Sequence, residues 1–116
     1  MALEFVRRYS MSFPHATEQV QWESLVFKIG GKIFAVAALE PVRTWLSFKC
    51  TPDDFAELTE RAGIIPAPYL ARAKWVALET DDALATAELK HYLRKSYDLV
   101  VAKLPKKTQA TLQRAK

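Results

Sequence analysis

Hydrophobic positions along the chain follow two different periods, and the switches between them divide it into elements. Leu3, Phe5, Val6 and Tyr9 recur at near-helical spacing, which predicts a short amphipathic helix over Ala2 to Tyr9. Pro14 stops it, and Ser12 to Gln21 reads as a polar connection. Two β-type runs, SLVFKI and KIFAVAAL, then flank Gly30-Gly31. A two-residue type I′ turn needs positive φ at both central positions, and glycine supplies that without steric cost. Strict alternation places Leu25, Phe27, Phe34 and Val36 on one side of this hairpin, with Phe27 directly opposite Phe34. Val26, Lys28, Ile33, Ala35 and Ala37 take the other side, and Lys32 sits at the tip.

Pro41 and Arg43 mark the next turn, and Thr44 to Lys49 reads as a third strand with Leu46 and Phe48 opposing Trp45, Ser47 and Lys49. Thr51-Pro52-Asp53-Asp54 is a helix start. Threonine caps, proline suits the first turn, and the acids favour the positive end of the helix dipole. Phe55, Leu58, Thr59 and Ala62 share a face, and Gly63 is the expected stop. Residues 64–73 read as a loop broken by Pro66 and Pro68, followed by a strand over Lys74 to Glu79. Leu89, Tyr92, Leu93, Ser96, Tyr97, Val100, Val101 and Leu104 then keep the i, i+3, i+4, i+7 pattern for several turns. Pro105 ends or kinks this helix, and residues 106–116 form a basic tail, a frayed extra turn at most. The simplest packing for this order is an α+β domain, an antiparallel sheet with helices on one face.

Composition adds bounds to this picture. The 116 residues make a single domain, long enough to bury roughly 65% of the unfolded surface. Half the residues are hydrophobic, so the chain lacks the signature of disorder. Its apolar runs are too short to cross a bilayer, and its start has no signal-peptide core. Together with a lone cysteine, Cys50, these features point to the cytoplasm and away from a membrane partner. The net charge of +4 permits a polyanion partner without requiring one.

Catalytic chemistry finds little support. His91 shares a helix face with Arg94 and Lys95, and His15 has only Glu18 nearby in sequence, so no metal is assigned. Cys50 lacks a neighbouring base and reads as a small half-buried residue. Asp53, Asp54, Glu57 and Glu60 read as helix-start acids and a solvated helical face. No phosphate-loop glycine motif is present. The expectation is a chain with no catalytic residues and no cofactor. Alternation leaves a second sheet face carrying Lys28, Ile33, Ala35, Ala37, Trp45, Ser47, Lys49, Trp75 and Ala77 toward solvent. Trp45 and Trp75 on that face form a candidate surface for a protein partner or a second copy.

Several of these segments, VFKIGGKIFAVAAL, Lys74-Trp75 and above all SYDLVVAKLPKK, resemble the MmcQ/YjbR family over about residues 12–107. GIIPAPYLARAKWV resembles one branch of it. The resemblance implies a CyaY-like (frataxin-like) α+β fold and a DNA-binding role described as a double wing. On this chain the wing is the hairpin around Gly30-Gly31 with Lys28 and Lys32, and the second wing has no matching motif. Ser96 and Tyr97 match the family motif, but their phase makes them core residues first. Frataxin-like iron binding is disfavoured, because the first helix sets Glu4 beside Arg7 and Arg8. The leading expectation is a non-enzymatic, sequence-tolerant binder of duplex DNA that contacts phosphates through Lys28, Lys32, Lys49, Arg72 and Lys74.

Overall fold

The computed structural model describes residues 2–40, 43–68 and 70–114, so Pro41 in the expected turn and Tyr69 in the quoted motif lie outside the described residues. The elements are α1 (Ala2–Met11), β1 (Thr17–Gln21), β2 (Ser24–Ile29), β3 (Lys32–Ala38), β4 (Leu46–Lys49), α2 (Pro52–Leu58), β5 (Ile64–Pro66), β6 (Trp75–Leu78), α3 (Thr86–Ala102) and α4 (Lys106–Arg114). A short 3-10 turn, Ala71–Ala73, precedes β6. The six strands form one antiparallel sheet in the order β1-β2-β3-β4-β6-β5. The fold is therefore α+β, as the order of elements predicts.

Two strands sit where the hydrophobic pattern shows none. Residues of the polar connection form β1, an edge strand paired to β2 from Thr17↔Lys28 to Gln21↔Ser24. Ile64–Pro66 forms β5 at the opposite edge, paired with β6. An edge strand gains its backbone partners from one neighbour and need not bury either face, so it leaves little periodicity to detect. The basic tail is also more ordered than a frayed turn, since α4 spans nine residues. In contrast, α2 stops at Leu58, short of Gly63. Its predicted start is present: the Thr51 hydroxyl accepts from the Asp54 N–H at 3.1 Å.

The main core lies between the sheet and the helices. Val6 of α1, Leu58 of α2, and Leu89, Leu93, Tyr97 and Val100 of α3 join Phe27, Phe34, Leu46, Phe48, Val76 and Leu78 of the sheet in one buried cluster. Gly30 and Gly31 form the β2–β3 turn with φ of 59° and 80°, and Ile29 faces Lys32 beside them. The register beyond the turn differs from strict alternation. Lys28 pairs with Ile33 but Phe27 pairs with Ala35, which leaves Phe34 as the extra residue of a bulge. Phe27 and Phe34 are both buried with ring centroids 6.3 Å apart, but they are not directly opposed. The extra residue reverses the phase of the rest of β3. Ala35 and Ala37 pair with Phe48 and Leu46 and join the main core, while Val36 turns to the other face.

The bulge is clipped from above by α3. The buried Ser96 hydroxyl donates to the Phe34 carbonyl at 2.7 Å and accepts from the Lys49 N–H at 3.0 Å. It thereby satisfies two strand groups that would otherwise be buried without a partner. One residue on, the Tyr97 hydroxyl donates to the Pro14 carbonyl at 2.6 Å, and its ring meets those of Phe13 and Phe34. The core phase predicted for both residues is correct.

Candidate functional site

The tryptophans do not form the expected accessible face. Trp45 precedes the four residues of β4 and so escapes that strand's alternation. It is only 5% exposed within the main core, and its indole N–H donates to the Thr80 carbonyl at 2.8 Å. Trp75 does lie on the face away from the helices, as predicted, yet only 7% of it is exposed. The segment after β5 lays Ala67 against it, and Ala77, Ile33, Val36 and Ile65 complete a second, smaller cluster. The indole that is exposed is Trp22, at 75%, in the β1–β2 turn with Glu23. Nothing in the hydrophobic pattern marks it, because the strand that presents it is polar.

Lysines converge at the Gly30-Gly31 end of the sheet. A shallow cavity of about 250 Å³ is lined by Lys32, Ile33, Lys49, Trp75, Val100 and Lys103. Its three lysines come from separate elements: the start of β3, the end of β4 and the residue after α3. Close packing brings the last of them in. Leu104 is buried against Gly30, so tightly that a β-carbon on Gly30 would lie 2.7 Å from the Leu104 Cδ1 atom. The Lys49 Nζ rests 3.4 Å from the Ala73 carbonyl, which holds the chain between β5 and β6 beside the cavity. Among the described residues no carboxylate lines the space, and none of the three lysines is in an ion pair.

Of the other expected contact residues, Lys28 is on the outer face beside Ile33, with its Nζ 3.2 Å from the Gln19 side-chain oxygen. Arg72 is exposed on the 3-10 turn adjoining Ala73. Lys74 does not join the group. Its backbone is left-handed, with φ of 67°, and its ammonium stands 5.1 Å from the centre of the Phe55 ring of α2. Lys103 was not among the expected residues. Its signal lay in the AKLPKK part of the family-like motif, which also carries Lys106 and Lys107 immediately after Leu104.

The turns at the opposite end of the sheet are rich in acids. Ser24 pairs with Ala38 there and Leu46 with Leu78, so Glu23, Glu40, Glu79, Asp81 and Asp82 follow on adjoining turns. Two arginines near that end are engaged: Arg43 lies 3.9 Å from Glu79, and Arg61 binds Glu88 through two contacts of 2.7 and 3.1 Å. The Arg61 hydrogen bond, helped by the Ala85 N–H, holds the Glu88 carboxyl at about 2. Elsewhere, burial and then the nearby Asp54 charge push the Cys50 thiol up to about 12, which leaves it a poor nucleophile. His15 is exposed, with its Nε2 2.9 Å from the Leu112 carbonyl, and His91 is exposed against Tyr92. Among the described residues no group of three His, Cys, Asp or Glu is placed to hold a metal ion, and no helix is long and apolar enough to cross a membrane.

Comparison with known proteins agrees with this architecture. No curated protein matches the chain. Among solved structures, the crystal structure of Deinococcus radiodurans protein DR2400, with family-model domain DUF419, superposes with a TM-score of 0.84 at 29% identity, covering 96% of this chain and 87% of that one. The YjbR family model matches residues 11–99, from the end of α1 to within the last turns of α3. With the match spanning both hairpins, the Ser96 clip and the Tyr97 anchor, the chain belongs to the YjbR family.

Proposed function

We propose that this protein binds duplex DNA without sequence preference and without catalysing a reaction, through phosphate contacts at the Gly30-Gly31 end of the sheet. The observation that carries this reading is the convergence of Lys32, Lys49 and Lys103 on one cavity that, among the described residues, no carboxylate lines. Lys28 and Arg72 flank the group, and Lys106 and Lys107 continue it into α4. A net charge of +4 is too small to attract a polyanion from every side, so local clustering of lysines matters more than the total. Lysine contacts of this kind orient a protein on the duplex and read no bases. Three to four of them correspond to a slope of log affinity against log salt of about −2.7 to −3.6, with micromolar or weaker binding at physiological salt. Fluorescence anisotropy on unrelated duplexes tests this. Lys32→Ala or Lys103→Ala should weaken all of them alike and flatten the slope by about one unit. Absence of binding at low salt and high micromolar duplex would remove the reading.

A second reading, association with a protein or a second copy, draws on Trp22. Exposed Val20 (64%), Trp22 (75%) and Leu39 (40%) lie at one corner, where the Leu39 N–H donates to the Glu23 carbonyl, and β1 leaves one edge of the sheet open. Sedimentation of the wild type and Trp22→Ser separates the two readings: concentration-dependent association lost in the variant favours this one.

A further inference from the structure

The cavity between the Gly30-Gly31 turn and the end of α3 is shaped for a different group from the phosphodiester of an intact strand. We infer that it is a receptor for a phosphomonoester, the terminal phosphate of a nucleic-acid strand or of a small phosphorylated molecule. This deepens the DNA reading, because it uses the same lysines, but it does not require duplex binding.

Two features of the site carry the inference. The first is charge. Three lysines, Lys32, Lys49 and Lys103, line one cavity, and among the described residues no carboxylate lines it to neutralise them. A phosphodiester brings one negative charge, whereas a phosphomonoester near neutral pH brings about 1.5 to 2 and three terminal oxygens. The richer anion matches three separate donors, and each charge-assisted hydrogen bond is about twice as strong as a neutral one. The second is shape. The remaining lining, Ile33, Trp75 and Val100, is apolar and buried or half-buried, so the lysines border a shallow apolar hollow. A phosphate within a duplex backbone is tethered on both sides and meets a surface side-on, while a monoester is tethered on one side and can enter the hollow.

The packing also explains how the site stays assembled. Lys49 is held at its backbone by Ser96 and at its ammonium by the Ala73 carbonyl. Lys103 adjoins Leu104, which is locked against Gly30. Lys32 is fixed by its pairing with Ile29 across the turn. Elements distant in sequence thus hold the three backbone positions, and the Lys49 ammonium, before a ligand arrives, which reduces part of the ordering cost of binding.

The test is a backbone-amide NMR titration of the full chain with glycerol 3-phosphate, with dimethyl phosphate as the diester control at equal ionic strength. Saturable shifts centred on Lys32, Lys49, Trp75 and Lys103, about tenfold weaker for the diester and about tenfold weaker in Lys103→Gln, are expected. Equal response to monoester and diester, or shifts spread over exposed lysines such as Lys90, would overturn the inference. Lys90→Gln, on the outer side of α3, serves as the charge-matched control and should bind as the wild type does. A second arm identifies the source: a short duplex carrying 5′-phosphates is compared with the same duplex carrying 5′-hydroxyls. Tighter binding of the phosphorylated duplex supports the inference with a strand end as the source. Equal duplex affinities with monoester binding intact support it with a small phosphorylated molecule as the source. Loss of all duplex binding with monoester binding intact defeats the DNA reading alone, whereas duplex binding without monoester selectivity defeats this one alone.

Discussion

The two hairpins that share β2 use the same backbone turn with opposite side-chain chemistry. The β1–β2 turn places Trp22 and Glu23 at φ of 52° and 60°, and the β2–β3 turn places Gly30 and Gly31 at 59° and 80°. Positive φ at both central residues suits the twist of paired strands, so both chains reverse in two residues. Glycine is needed at the second turn for a further reason. Leu104 occupies the space where a Gly30 β-carbon would lie, and that contact brings Lys103 to the lysine cavity. The first turn carries an exposed indole and a carboxylate, at a cost of roughly 1–2 kcal/mol for each left-handed residue. One turn is therefore conformationally relaxed and packed, the other strained and open. Strain retained at an exposed tip is a reason to suspect a contact there, in line with the second functional reading.

The most disruptive way to probe this contrast is to release the helix that holds the packed turn. Tyr97→Ala removes a buried ring from between Phe13 and Phe34 and should cost about 3–5 kcal/mol in urea unfolding. Tyr97→Phe, which loses only the bond to Pro14, should cost about 1 kcal/mol. A similar cost for both would mean that the ring itself is not part of the anchor. Next in size is the turn. Gly30→Ala adds left-handed strain to a clash with Leu104 and should cost about 2–4 kcal/mol. Gly31→Ala, with no atom within 4 Å, should cost only the backbone strain, about 1–2 kcal/mol. Equal losses would remove the packing distinction between the turns.

The open turn predicts a gain. Glu23→Gly relieves an exposed left-handed residue and keeps the backbone bond from the Leu39 N–H, so it should stabilise the protein by about 0.5–1 kcal/mol in thermal or urea unfolding. A loss of stability instead would show that the Glu23 side chain contributes a contact that outweighs its strain. The last prediction concerns acid. Because the folded Glu88 pKa is depressed from 4.5 to about 2, its pair with Arg61 contributes stability that is complete above the unfolded value and is lost as pH falls toward 2. Glu88→Gln should remove that part of the acid dependence in a urea-unfolding series against pH. Both side chains are more than a third exposed and so are screened by solvent, which should make the effect the smallest of the four.

Features set by neighbours in sequence were legible without coordinates. Thr51-Pro52 caps α2, Gly30-Gly31 makes its turn, and the heptad-like run from Leu89 to Leu104 buries the face it advertises, with Ser96 and Tyr97 in the core. Each depends on a few consecutive residues or on one helical repeat, and such patterns carry their own geometry. Three decisions belonged to tertiary structure. A single extra residue at Phe34 reversed the faces of Ala35, Val36 and Ala37, because a period of two has no memory once it slips by one. Trp45 and Trp75 were buried by partners outside their own segments: the Thr80 carbonyl received one indole, and Ala67, Ile33 and Val36 packed around the other. The lysine cavity joins Lys32 to Lys103 through the packing of Leu104 on a glycine, and no local pattern contains that contact. Composition set how much charge the chain carries; long-range packing set which charges meet, because electrostatic strength depends on distances that only the folded chain fixes.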